Sequence, residues 1–256
     1  MAKQKLVVAN WKANPLSVKE AKEIAKSIIK TAKKNSNVDV VICPSFLHLE
    51  AVKKLQLEET VGIGAQDAFA DNTGAHTGEI TVDMIDNIGV SYVIVGHSER
   101  RALGDTEQDV AKKVRAILDH KMKVILCIGE QERDKDGNYL AFVHDQLRHS
   151  LGDITKKDLS NIIIAYEPVW AIGRTELDAV KGVDMHEMVI FIQRIINDAF
   201  GKEMVKKLTI LYGGSVSPAN AGEILENGKV DGFLIGRQSL YPDAFSEIIK
   251  IAGDAK

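Results

Sequence analysis

Short apolar runs rich in β-branched residues recur along the chain at 6–9, 38–43, 61–65, 92–95, 124–128, 162–165, 208–212 and 233–235. Each has the length of a strand. Longer polar segments with helical spacing lie between them. In 17–34, Ser17 and Glu20 have the spacing of a capping box, and Ala21, Ile24, Ala25 and Ile28 share one face. Near 217–228, Ser217 is placed to cap a helix, Pro218 suits its first turn and Ala221, Ile224 and Leu225 form its apolar face. Gly228 is placed to end it in a left-handed conformation. Strands that are apolar at nearly every position are buried on both faces, as in a parallel sheet covered by helices. Eight strand-then-helix units predict an α/β fold, a closed (β/α)8 barrel of eight parallel strands and outer helices spanning 1–256 as one domain. An open doubly wound sheet is disfavoured, because no strand-to-helix junction carries G-x-G-x-x-G and no break in composition divides the chain.

Composition narrows the function classes. With 256 residues, 45% apolar and 27% charged, the chain can bury a large core, which excludes disorder, collagen and coiled coil. The 33 basic and 36 acidic residues are mixed along the chain and leave a formal charge of −3, so there is no electrostatic footprint for nucleic acid or an anionic membrane. No apolar run approaches the ~20 residues that span a bilayer, and residues 1–5 lead straight into a strand without a signal-peptide core. The expected location is cytoplasmic. Cys43 and Cys127 sit inside apolar runs, which suits buried thiols in a reducing compartment. His48, His76, His120, His144, His149 and His186 show no ligand spacing, so no metal site is expected.

In a barrel of this kind the reactive groups collect just after the C-terminal ends of the strands. Asn10-Trp11-Lys12-Ala13-Asn14 follow the first run and Gly96-His97-Ser98-Glu99-Arg100 the fourth. Glu167-Pro168-Val169-Trp170-Ala171-Ile172-Gly173 follow the sixth, Tyr212-Gly213-Gly214-Ser215-Val216 the seventh and Gly236-Arg237 the eighth. Lys12, His97 and Glu167 would converge on one pocket with glycine turns whose bare amides can approach an anion, which makes a phosphate pocket with an acid and a base. Glu167 at the barrel mouth suits a general base, and His97 can polarise a carbonyl or pass protons between adjacent oxygens. Lys12, between Asn10 and Asn14, can hold a phosphate and an oxyanion. Taken singly, each also has an ordinary reading as a solvated carboxylate, a core histidine, a surface lysine or a tight turn. Their coincidence at several different strand ends points to chemistry.

The segments Asn10-Trp11-Lys12-x-Asn14, Gly96-His97-Ser98-Glu99-Arg100-Arg101, Ala165-Tyr166-Glu167-Pro168-Val169-Trp170-Ala171-Ile172-Gly173 and Tyr212-Gly213-Gly214-Ser215-Val216 strongly resemble the triosephosphate isomerase family, in the family's order. The resemblance runs from Leu6 to Leu240. It implies a TIM barrel that interconverts glyceraldehyde 3-phosphate and dihydroxyacetone phosphate through an enediol, in glycolysis and gluconeogenesis, with no cofactor. It implies catalytic roles for Asn10, Lys12, His97 and Glu167, and substrate phosphate contacts from Gly173, Ser215, Gly236 and Arg237, mostly through backbone N–H groups. Residues 168–179 correspond to a lid that keeps water from the enediol phosphate. The family is typically a homodimer in which the loop after the third strand, here from Gln66 to Ile80, inserts beside the partner's active site. Gly74, Thr77 and Gly78 match that loop, which is otherwise a long surface loop without evident purpose.

Three places depart from the family pattern. Ala13 stands where methionine is usual. Arg174-Thr175-Glu176-Leu177-Asp178 replace a Thr-Gly pair and a Lys-Thr-Ala-like hinge, which narrows the backbone conformations open to the lid. Arg237 replaces the second glycine of the phosphate turn, and its guanidinium is expected at the solvent rim, facing an acid of the lid such as Glu176. An arginine here is also found in related barrels that isomerise tetrulose phosphates, so an erythrulose phosphate isomerase with the same acid and base is the alternative substrate reading. A non-catalytic sugar-phosphate-binding barrel is the alternative class, disfavoured because Asn10, Lys12, His97 and Glu167 occur together.

Overall fold

A computed structural model of the chain describes residues 3–55, 60–171 and 180–255. Its strands are β1 (Lys5–Asn10), β2 (Val38–Cys43), β3 (Gly62–Ala65), β4 (Tyr92–Val95), β5 (Lys123–Ile128), β6 (Ile162–Tyr166), β7 (Thr209–Tyr212) and β8 (Gly232–Ile235). Each pairs in parallel with the next, and β8 returns to β1 with Leu6 opposite Gly232 and Ala9 opposite Ile235, closing the barrel. All eight apolar runs become strands. Their ends shift slightly because the ladder is a backbone property: Lys5 pairs with Val38 and Lys123 with Tyr92 although both lysines lie outside the apolar runs.

Alternation along the strands divides the apolar residues into two cores. Leu6, Val8, Val41, Cys43, Ile94, Ile125, Cys127, Ile163, Ala165, Leu211 and Leu234 form one cluster, in the barrel interior. Their sequence neighbours Val7, Ala9, Val40, Ile42, Val124, Leu126, Ile162 and Ile164 belong to a second, larger cluster against the helices. Burial on both sides is why the strands read as continuous apolar runs.

The outer layer is α1 (Val18–Lys34), α2 (Phe46–Lys53), α3 (Val82–Ile88), α4 (Ser98–Ala102), α5 (Glu107–Asp119), α6 (Asn138–Ser150), α7 (Gly182–Phe200), α8 (Lys202–Val205), α9 (Ala221–Gly228) and α10 (Pro242–Asp254). α1 starts as expected: Ser17 Oγ accepts the Glu20 amide at 3.2 Å, and Ala21, Ile24, Ala25 and Ile28 are buried. A box closed from both sides occurs at α5, between Thr106 and Asp109.

α9 departs from expectation at both ends. Ser217 caps no helix, because Asn220 Oδ1 accepts the Ser217 amide at 2.8 Å and Asn220 Nδ2 donates to the Ser215 carbonyl at 3.0 Å. That turn delays the helix to Ala221. At the other end Lys229, with φ 53°, takes the left-handed position instead of Gly228. Gly228 is needed for close packing: a Cβ there would stand 3.1 Å from Met185 Cγ of α7.

The loop from Gln66 to Ile80 leaves β3, and the Phe69 amide donates to the Ile80 carbonyl at 2.8 Å to close its neck. Residues 71–79 are exposed.

Candidate active site

The interior parity of β1, β6, β7 and β8 runs on into the turns after them. Leu6 and Val8 face inward, and so by period two do Asn10 and Lys12. Ile163 and Ala165 bring Glu167 inward, Leu211 brings Gly213 and Leu234 brings Gly236. All five line one cavity of about 540 Å3 at the C-terminal mouth, together with Asn14, His97, Glu99, Gly214, Ser215 and Arg237. The structure thus brings together every candidate residue except Gly173, which lies with the rest of 172–179 outside the described residues.

Lys12 has φ 54°, in the left-handed region that costs an L-residue roughly 1–2 kcal/mol. Hydrogen bonds on both sides hold it there: its amide donates to Asn10 Oδ1 at 3.1 Å, and Gln66 Nε2 donates to its carbonyl at 2.8 Å. Gln66 also donates to the Cys43 carbonyl at 3.0 Å, so the base of the long loop fixes the backbone of Lys12. The Lys12 ammonium lies 2.5 Å from Glu99 Oε1.

His97 is buried at the N-cap of α4, where its Nδ1 accepts the Glu99 amide at 3.1 Å. An acceptor nitrogen carries no proton, so the ring is neutral and its N–H is on Nε2. That Nε2 is 3.1 Å from Glu167 Oε1. Glu167 is only 2% exposed, and its Oε2 accepts the Ser98 amide at 3.2 Å. Both hydrogen-bond donors to this buried carboxylate are therefore neutral. Gly213 makes room for it, since a Cβ there would stand 2.7 Å from Glu167 Cγ. Cys127 packs beside it in the barrel as a free thiol whose pKa is pushed well up, first by burial and then by the Glu167 carboxylate.

At the opposite side of the mouth, Ser215 Oγ donates to the Ala171 carbonyl at 3.2 Å, joining the turn after β7 to the segment after β6. The Gly213 amide donates to the Tyr166 carbonyl at 2.8 Å. Arg237 opens a short 3₁₀ turn, Arg237–Leu240, and its side chain is exposed without an ion-pair partner among the described residues. Its suggested partner Glu176 falls outside them.

Two groups in or beside the site had no role in the sequence reading. Glu99, the partner of Lys12, was visible two residues after His97 in the same motif. Glu130 accepts from Tyr166 Oη at 2.7 Å, Trp170 Nε1 at 2.8 Å and Arg133 Nε at 3.1 Å. This cluster fixes the path of 168–171 leaving β6. Glu130 has the same local signature as Glu167, an acid after an apolar strand, but its carboxylate is taken up by Tyr166, Trp170 and Arg133 and does not line the cavity. Among the described residues no three His, Cys, Asp or Glu side chains are grouped to hold a metal ion.

Comparison with known proteins agrees with this geometry. The sequence model of the triosephosphate isomerase family matches residues 5–252. The triosephosphate isomerase of Flavobacterium johnsoniae is 40% identical over 250 residues, covering 96% of this chain and 98% of that protein. Those of Dictyoglomus thermophilum and Rhodopirellula baltica are 36% and 37% identical, covering 97% and 100% of this chain and 99% and 100% of their own lengths.

Proposed function

The chain belongs to the triosephosphate isomerase family and is an aldose–ketose isomerase; from that premise we propose that Glu167 is the base that moves a proton between C1 and C2 of a triose phosphate. The substrate pair is glyceraldehyde 3-phosphate and dihydroxyacetone phosphate. Glu167 removes the proton from the carbon beside the carbonyl, the electron pair forms the enediol double bond, and the carbonyl oxygen becomes an oxyanion. The neutral His97 donates to that oxygen from Nε2, and the Lys12 ammonium stabilises its charge. His97 gives its Nε2 proton to that oxygen and takes one back from the neighbouring hydroxyl, whose oxygen becomes the new carbonyl as the double-bond pair accepts the proton that Glu167 delivers to the other carbon. Atoms and electrons balance within the substrate, so no cofactor enters. Asn10 positions Lys12, while Ser215, Gly236, Arg237 and Gly173 take the phosphate, mostly through backbone N–H groups.

The observation that carries this reading is the 3.1 Å approach of His97 Nε2 to Glu167 Oε1 in a cavity that Lys12 shares. The relatives' names favour the three-carbon substrate over erythrulose phosphates, and the retained acid, base and lysine disfavour a non-catalytic barrel. A coupled assay with glyceraldehyde 3-phosphate and erythrulose phosphates tests it: kcat/KM should be far higher for the triose, and preference for the tetrulose would overturn the assignment.

A homodimer is part of the same proposal. Its support is the loop from Gln66 to Ile80, tied at its base to Lys12 and exposed at its tip, with apolar side chains beside it. Leu16 and Leu47 are 98% and 88% exposed, and Val18 and Met84 are also exposed, all in segments following β1, β2 and β3. Neighbouring strands place those segments on one side of the barrel mouth. Cytoplasmic residence is supported by the two free, buried cysteines. No helix among the described residues is long and apolar enough to cross a membrane.

A further inference from the structure

We propose that the Arg237 guanidinium supplies the positive charge that draws the phosphate dianion into the site, acting through the field rather than as a fixed phosphate ligand. The inference deepens the isomerase reading and rests on it for the identity of the substrate. The charged side chains lining the cavity among the described residues are Lys12, Glu99, Glu167 and Arg237, with His97 neutral. Lys12 is already matched by Glu99 at 2.5 Å. Glu167 is buried against His97 Nε2 and the Ser98 amide. Arg237 is exposed and has no hydrogen-bond or ion-pair partner among the described residues, so it adds positive charge to the cavity that no described side chain offsets.

The geometry places that charge beside Lys12. Gly236 lies against the Lys12 stem, where a Cβ would stand 3.1 Å from Lys12 Cε. The Gly236 carbonyl accepts from Ser239 Oγ at 2.6 Å and from the Ser239 amide at 3.0 Å, so the backbone that carries Arg237 is anchored by a fully buried serine. The side chain itself is exposed and has no ion pair among the described residues. A charge so placed raises the local concentration of an approaching anion and is screened by salt, whereas a bidentate contact inside a closed site is not.

The experiment is kcat/KM for glyceraldehyde 3-phosphate across ionic strength for the wild type, Arg237→Gln and Arg237→Lys. Calorimetric binding of inorganic phosphate is measured over the same salt series. For Arg237→Gln, Coulomb attraction with Debye screening leads to a roughly three- to tenfold loss of kcat/KM near 20 mM salt, shrinking below about twofold near 0.5 M. Arg237→Lys should keep most of the wild-type value and its salt slope. Parallel salt slopes for wild type and Arg237→Gln would overturn the proposal. So would a loss of tenfold or more that persists at high salt and is not rescued by lysine, since that marks a direct guanidinium contact. A wild type that fails to turn over the triose phosphate would overturn the isomerase reading, and the phosphate-binding series would still report on Arg237.

Discussion

Glu167 is positioned by what its neighbours lack as well as by what they offer. His97 and the Ser98 amide hold its two oxygens, and Gly213 leaves the space its Cγ occupies. Shortening the base by one methylene withdraws the carboxylate by about 1 Å, so Glu167→Asp should lower kcat on the order of 100-fold with a smaller change in KM. Near-normal turnover of that variant in steady-state kinetics would remove Glu167 as the base. Gly213→Ala attacks the same geometry without touching a charged group: its Cβ would displace Glu167, and kcat should fall by roughly tenfold or more. A crystal structure of the variant with Glu167 unmoved, alongside full activity, would contradict that account.

At the scale of elements, β6 is approached through a short 3₁₀ turn, Asp158–Asn161, whose first residue is tied to α5. Asp158 Oδ2 accepts from the Thr155 amide and hydroxyl, both at 2.8 Å, and from Arg115 of α5 at 3.1 Å. These bonds, the Thr155 amide first, bring its pKa down from 3.8 to about 2. A folded value below the unfolded one means that the stabilisation is fully present above about pH 4 and is lost as the pH falls toward 2. Asp158→Asn should therefore melt below the wild type at neutral pH, and the gap should close under acid. A gap that stays constant from pH 7 to pH 2 would show that the carboxylate charge has no part in it.

For the molecule as a whole, the proposed homodimer would cover the apolar side chains exposed beside the loop from Gln66 to Ile80. Light scattering at micromolar concentration should return about twice the chain mass of 28.1 kDa. Leu47, 88% exposed, contributes little to the protomer's own core, so Leu47→Glu should shift the mass toward one chain while leaving circular dichroism unchanged. Activity should fall with it, because Gln66 joins the base of that loop to the Lys12 carbonyl. A fully active wild-type monomer would contradict both the assembly and its bearing on the site.

The strands, their parallel order and the residues that end them were legible in the chain, because burial on both faces removes polar residues from every strand and polar groups gather directly after the strand ends. The loop from Gln66 to Ile80 was legible as a length without secondary structure. Which acid enters the cavity was not legible from local pattern alone: Glu130 and Glu167 both follow apolar strands, and only in the folded barrel is Glu130 taken up by Tyr166 and Trp170 while Glu167 lines the cavity. The left-handed backbone of Lys12 depends on Asn10 and on Gln66, 54 positions away, and the pairing of Lys12 with Glu99 spans 87 positions. Turn chemistry also misled where long-range packing prevailed, as at Gly228, whose missing side chain admits Met185 while Lys229 takes the left-handed conformation. Hydrophobic periodicity is a property of each segment and survives in the sequence, but register and the approach of distant side chains exist only once the barrel has closed.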